Sequence, residues 1–504
     1  MKLSLNGIKL PADWPKYSLP AFDISAMAER TKKEPVWLHM GAGNIFRIFP
    51  AVLQQELIEA GYADRGIIVC ECYDDELIPA SMTPYDNLSL AVTLKADGNA
   101  DKKIVASMAE AITASTGRER LMEVCAAPSL QMITFTITEK GYKAADPHDT
   151  NNIMNYITDG LLKRYKAGAP PLSLVSMDNC SQNGSVLKNA VKSTAEAKIK
   201  ENKTEPDFIQ YIESLAFPWT MIDKIVPRPS VEVAKILEAE GYENTAVKTT
   251  AKGTWIASFV NGEECQYLVI EDSFPNGRPP LEKAGVLFTD RETVEKSEKM
   301  KVCTCLNPLH TVLATAGCML GYTFMSDVIG DKHLRAFAEH LAFKESMPVV
   351  VNPGIIDPKK FLHDVLNERI PNPFIKDTPQ RIAEDNSQKI PIRFGETIKA
   401  RRNAGLPDTE LEAIPFFFAI YARYLMGVDD KLEEMPVERD PRRDELMAHM
   451  KGPYNLRALF SDAGLFGVDL YADKGILAKK AEAYFSELTE GPGAVARALE
   501  KYYG

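Results

Sequence analysis

Apolar positions in the first half of the chain fall into short continuous runs that alternate with stretches of helical spacing. "VWLHMGAG" (36–43) is an apolar run ending in glycines, and "IFRIFPAVLQQELIEAGY" (45–62) then clusters its apolar residues at helical intervals. "RGIIVCE" (65–71) is a second buried strand closed by an acid, and "LQMITFTITEKGY" (130–142) and "PLSLVSMDN" (171–179) are further strands with polar ends. An order of strand, helix, strand predicts a parallel sheet covered by helices. Ligands of such sheets bind at the carboxyl ends of the strands, where these Gly, Glu, Asp and Asn residues fall.

The pattern changes near residue 290. "NPLHTVLATAGCMLGYTF" (307–324), "DKHLRAFAEHLAFKESM" (331–347), "PKKFLHDVLNERI" (358–370), "TELEAIPFFFAIYARYLM" (409–426), "ILAKKAEAYFSELTE" (476–490) and "AVARALEKYY" (494–503) all carry helical spacing, and strand signals become scarce. The expected organisation is an α/β nucleotide-type domain over 1–290, followed by a mostly α-helical domain over 291–504.

Composition narrows the function. A length of 504 residues favours more than one domain. A formal net charge of −11 argues against general affinity for nucleic acid or anionic membrane, both of which reward clustered Lys and Arg. The start "MKLSLNGIKLPADW" lacks the features of a secretion signal, which favours a cytoplasmic protein. The apolar stretch "IPFFFAIYARYLMGV" carries Pro415 and Arg423 and is short of the roughly 20 residues a bilayer requires, so it reads as a buried helix. Eight cysteines include no Cys-x-x-Cys, which favours reduced, packed thiols over a metal site. Cys70 and Cys72, and likewise Cys303 and Cys305, would share one face of an extended segment.

Two short stretches carry chemistry. In "HMGAGNIFR" a strand runs into Gly41-x-Gly43 and then a helix, the context in which glycines let a dinucleotide pyrophosphate approach the backbone. The third glycine of that fingerprint is replaced by Phe46. Gly41, Gly43, Asn44, Phe46 and Arg47 are expected at the cofactor, with Glu71 or Asp74 on a ribose hydroxyl. An acid there favours NAD by repelling the 2′-phosphate of NADP. In "EKMKVCTCLNPLHTVL" (298–313), Asn307-Pro308 reads as a helix start with Asn307 as the cap. Lys301, Asn307 and His310 would alternatively meet at one substrate oxygen, with Glu298 just ahead of them.

"GAGNIFR", "TITEKGY", "SMDNCSQNG", "FPWTMIDKIVP", "VIEDSFPNGRPPLEKAGV", "KVCTCLNPLH", "NPFIKDTPQRIAEDNSQKIP" and "LFGVDL" follow one another in an order that resembles the polyol-specific long-chain dehydrogenases. That family includes mannitol 2-dehydrogenases, fructuronate reductases and tagaturonate reductases, and "CLNPLHT" is most similar to the fructuronate-reducing branch. The resemblance implies an α/β Rossmann-type N-terminal domain, a mostly α-helical C-terminal domain and a site in the cleft between them, a small-molecule substrate (a keto-uronate or polyol), and a monomer or weak homo-oligomer. It also implies metal-independent hydride transfer with NAD and a lysine acid/base. The family's Glu-x-x-Lys and Asn-x-x-His fall on Glu298, Lys301, Asn307 and His310. The asparagine lies six residues after Lys301 where the family pattern has five, so one residue has to bulge, or Lys299 takes the role.

The resemblance assigns Asn179 beside Asn307 as amide donors to the substrate oxygen, and Arg381 and Lys389 to the substrate. Asp223 matches a further family motif. Lysine acts as an acid near neutral pH only if burial or dipoles lower its pKa from about 10.4. The first turn of a helix favours neutral imidazole at His310, and Glu298 would relay the proton outward. Arg393 adds a cation, and two or three cations in one place suit a carboxylate better than a neutral polyol. The expected activity is interconversion of D-fructuronate and D-mannonate. A mannitol or other polyol 2-dehydrogenase and a tagaturonate reductase are the alternatives, and a catalytically silent dinucleotide-binding sensor or scaffold is the alternative of another class. His39 is expected to be a strand residue rather than a catalyst, and His333 and His340 are expected to pack or face solvent rather than bind a metal.

Overall fold

A computed structural model describes residues 1–504. The chain forms two compact units, one of Met1–Lys95 with Asn99–Glu295, the other of Ala96–Gly98 with Lys296–Gly504.

The first unit is built on a five-stranded, wholly parallel sheet in the spatial order Met108–Thr113, Ile67–Glu71, Trp37–Met40, Met132–Phe135, Ser173–Ser176. Numbered along the chain that order is 3-2-1-4-5, the doubly wound arrangement with a switch point between the Trp37 and Met132 strands. Strand residues alternate between two cores. Leu38, Ile68, Ile133 and Leu174 enter one, with Leu187, Val191 and Phe208 from covering helices. Trp37, Val69, Met132 and Val175 enter the other, with Phe46, Leu53 and Leu57. Burial on both faces is why these strands read as continuous apolar runs. Two small three-stranded sheets, centred on Ser89–Leu94 and Tyr267–Glu271, carried no comparable sequence signal.

Two expected elements differ. The helix read over 45–62 is two helices, Asn44–Ile48 and Pro50–Glu59, broken at Phe49 (φ −120°, ψ −76°). Pro50 disfavours helical geometry in the residue before it. The strand read over 130–142 ends at Phe135, and Glu139–Gly141 is a short 3₁₀ turn.

The second unit is helical. All twelve residues of Ala413–Tyr424 are buried. Its N-terminus is held by buried Glu345, which accepts the N–H groups of Glu412, Ala413 and Ile414 at 2.6, 2.5 and 2.9 Å. Arg423 within it donates to the carbonyls of Leu488, Val428 and Asp429, which satisfies a cation in an apolar helix. Arg291–Met319 is a helical stretch long and apolar enough by composition to cross a membrane, and 78% of its apolar window is buried inside the fold.

Candidate active site

In the first unit the strand-end loop 41–43 departs from the sheet at the switch point. Gly41 has φ +103°, its N–H donates to the Cys70 carbonyl at 2.8 Å, and a Cβ there would lie 2.5 Å from the Thr136 oxygen. Only glycine fits that turn. Gly43 is different: it precedes the helix from Asn44, and a Cβ on it would meet nothing within 4 Å. It faces a cavity of about 700 Å³ lined by Gly41, Gly43, Glu71, Asp74 and the Thr136–Thr138 segment, among others.

Glu71 accepts the Ala42 N–H at 2.8 Å through one oxygen, and the N–H groups of Tyr73 and Asp74 at 2.8 and 3.1 Å through the other. It therefore braces the glycine loop as well as lining the cavity. At Asp74 burial raises the carboxyl's pKa, but the hydroxyls of Thr250 and Thr254, the Glu76 N–H and the Lys252 charge together outweigh it and hold the group below its ordinary range. Asn44 opens the short helix, half-buried.

Phe46 and Arg47, expected at the cofactor, are placed in the core instead. Phe46 stacks on His39 at 4.3 Å between ring centres. Arg47 is 1% exposed and directs its three nitrogens to Ser89 Oγ and the carbonyls of Ala257 and Ser258. Neither residue is among those lining the cavity beside Gly43. His39 is a packed strand residue, bonded through its ring nitrogens to Thr134 and Thr136 hydroxyls, and burial lowers its pKa to about 3. Asn179 lies three residues past the fifth strand and is exposed, and Asp223 closes the strand Thr220–Asp223 at 5% exposure.

Helix Arg291–Met300 carries Glu298 in its second-unit half and leads into a π-turn over Lys301–Cys305. The Leu306 N–H donates to the Lys301 carbonyl, five residues back, at 3.1 Å. A π-turn takes up one extra residue without ending the helix. The six-residue interval from Lys301 to Asn307 is housed there. Lys301 is 7% exposed whereas Lys299 is exposed, so of the two lysines only Lys301 has the burial that an acid/base amine needs. Cys303 and Cys305 lie in this turn, not in an extended segment, while Cys70 and Cys72 do share a face with their sulfurs 3.8 Å apart.

Asn307 is not the cap expected of it. It is the first residue of helix Asn307–Met319, and the helix has no side-chain cap. Its main-chain oxygen accepts from Thr311 Oγ1 at 3.0 Å and from Arg393 Nη1 at 3.3 Å, and Nη1 also donates to Thr311 Oγ1 at 2.5 Å. The Asn307 amide side chain remains uncommitted. His310, half-buried one turn on, has its pKa lowered to about 4, chiefly by burial and further by the positive charges of Arg369, Arg393 and Arg381, against the pull of Asp377. The imidazole is neutral at neutral pH.

Four cations surround this helix start. Arg393 is held to Asn307 and Thr311, pairs with no carboxylate, and has its pKa lowered by burial to about 10. Lys389 donates to the carbonyls of Ile382 and Glu384, and burial, then Arg393, lower it to about 8. Arg381 is exposed and clamped by Asp377 through two bonds. Arg369, 1% exposed, is the fourth. Sequence reasoning missed Arg369 and Thr311, since both sit within ordinary helical patterns. The Asp377–Arg381 pair was visible only as an i,i+4 spacing.

The family pattern of the mannitol dehydrogenase Rossmann domain matches residues 36–283, and that of the mannitol dehydrogenase C-terminal domain matches 293–488. A D-mannonate oxidoreductase of Thermotoga maritima is 45% identical over 100% of this chain and 99% of its own. A substrate-free D-sorbitol dehydrogenase superposes with a TM-score of 0.83 at 23% identity, covering 99% of this chain and 100% of the other. Pseudomonas fluorescens mannitol 2-dehydrogenase, solved with NAD and D-mannitol, gives 0.73 at 23% identity, covering 99% of each chain. These two likenesses bear on the fold.

Proposed function

The chain belongs to the mannitol dehydrogenase family of sugar-alcohol and sugar-acid oxidoreductases, and from that premise we propose that it interconverts D-fructuronate and D-mannonate with NAD. The full-length 45% identity to a D-mannonate oxidoreductase carries this reading. The unpaired Arg393 supports it chemically, because a neutral polyol offers a buried guanidinium nothing to neutralise.

The first unit contributes the dinucleotide site. The open space beside Gly43, the close turn at Gly41 and the cavity between Glu71 and Thr136 fit a pyrophosphate and its flanking riboses. A bound nicotinamide supplies or accepts the hydride. Glu71 and Asp74 favour NAD by placing carboxylates where NADP would bring a phosphate.

The second unit contributes acid/base and recognition groups. In reduction, the Lys301 ammonium gives its proton to the ketone oxygen; in oxidation, the neutral amine takes the hydroxyl proton. Asn307, whose amide is not used as a cap, donates to that oxygen as negative charge develops. Neutral His310 orients a substrate hydroxyl, and Glu298, one turn before Lys301, passes the proton outward. Arg393 and Lys389 neutralise the carboxylate, with Arg381 nearby. The test is NADH oxidation with fructuronate, tagaturonate and fructose in parallel. Turnover of fructose alone would replace the uronate assignment with a polyol 2-dehydrogenase, and tagaturonate preference would move it to the sibling reaction.

A further inference from the structure

One carboxylate in the first unit gathers three donors from a single loop. Asp178 accepts the Ile137 N–H at 2.8 Å, the Thr138 N–H at 3.1 Å and the Tyr142 hydroxyl at 2.6 Å. Ser176 Oγ donates to the Tyr142 oxygen at 2.8 Å, so the end of the fifth strand is tied twice to the loop that follows the fourth. Burial pushes the Tyr142 phenol well above its ordinary pKa, which keeps it a donor to Asp178.

That loop lines the cavity beside the glycine turn through Thr136, Ile137, Thr138 and Gly141. It is also strained. Thr138 has φ +64° and ψ +160°, a region that glycine occupies freely and a β-branched residue avoids. Such a conformation persists only where surrounding bonds over-determine it, and Asp178 makes one of them to Thr138 itself. Asp178 also directly precedes Asn179.

We propose that Asp178 is a positioning residue for the nicotinamide end of the dinucleotide, holding the 136–142 loop in its strained course while fixing the start of the segment that presents Asn179. The assignment of the end follows from the topology. Glu71 and Asp74 close or follow the second strand, where this fold binds the adenosine ribose, so the loop after the fourth strand lies across the switch point from them. The inference rests on the dinucleotide reading above.

Binding decides it. Titrations of NADH and of ADP-ribose, which lacks the nicotinamide, are compared for wild type, Asp178→Asn and Tyr142→Phe, each with a melting curve. Loss of a hydrogen-bonded charge predicts an NADH Kd raised about tenfold in Asp178→Asn and about threefold in Tyr142→Phe, with the ADP-ribose Kd within about twofold of wild type. Equal weakening of both ligands would reduce Asp178 to a general support of the fold, and unchanged NADH affinity would remove the role altogether. If Asp178→Asn does not fold, Tyr142→Phe, which removes one bond of the three, decides the matter by the same split between the two ligands. Wild type that binds neither ligand would overturn the dinucleotide reading itself, and this inference with it.

Discussion

Arg393 donates to the main-chain oxygen of Asn307 at 3.3 Å, and the same nitrogen reaches Thr311 Oγ1. The guanidinium is thereby fixed at the start of the helix that carries Asn307 and His310, with its other nitrogens free of any carboxylate. A preorganised fork of this kind is suited to an anion. Replacing Arg393 with Met keeps the bulk and removes the charge. The expected result is a loss of about 10- to 100-fold in kcat/KM for fructuronate, the worth of a charge-assisted hydrogen bond. Any turnover of a neutral ketose should change by less than about threefold. Parallel loss on both substrates would assign Arg393 to holding the helix instead.

Lys301 should separate chemistry from cofactor binding. Lys301→Ala removes the proposed acid/base and lowers kcat by about 10²- to 10⁴-fold. NADH titration should remain within about twofold of wild type, because the dinucleotide groups belong to the other unit. Lys299→Ala, on an exposed side chain, serves as the control and should retain turnover.

The two glycines of the loop should fail in opposite ways. Gly41→Ala brings a Cβ to 2.5 Å from the Thr136 oxygen at a φ of +103° and should lower stability by about 1–3 kcal/mol, read as a fall in melting temperature. Gly43→Ala meets no protein atom within 4 Å and should melt like wild type while binding NADH at least about tenfold more weakly, since its methyl enters the pyrophosphate space. A Gly43→Ala protein with unaltered NADH affinity would move the phosphates elsewhere.

Stability should fall as pH drops below the ordinary histidine range. His310 and His39 have folded pKa values lowered to about 4 and about 3. Between those values and about 6.5 the unfolded chain binds protons that the native state refuses, so protonation favours unfolding and the penalty grows as pH falls. For His310 the effect is at most about 3 kcal/mol between pH 7 and 4. Urea unfolding at pH 7 and pH 5 should show the drop, and His310→Gln should flatten the slope. An unchanged slope would mean that the ring is solvated.

Much of the fold was legible because it rests on local periodicity. The parallel strands announce themselves as apolar runs, since burial on both faces leaves no polar alternation. The helices after residue 290 were equally readable, and Ala413–Tyr424 was visible as a buried helix despite Arg423. The break at Phe49 was written in Pro50, yet the apolar spacing ran across it and masked it.

The candidate site divides in the same way. Gly41 was readable as a tight turn before a helix, but the inward course of Phe46 and Arg47 was not, because a motif gives positions and not directions. The interval from Lys301 to Asn307 was countable. Its accommodation by a π-turn depends on the packing of the helices around it. Asn307-Pro308 gave a helix start in the right place, while the choice between cap and first helical residue turned on a single backbone torsion at Leu306.

The order of apolar runs, the glycine turn and the spacing of Lys301, Asn307 and His310 were determined by sequence alone, because each depends on neighbours within a few residues. The pairing of Arg393 with Asn307, 86 positions apart, the burial that lowers His310 and Lys389, and the grip of Asp178 on Thr138 were decided only by the tertiary structure. Desolvation and hydrogen-bond geometry are properties of the packed interior, which a linear pattern does not contain.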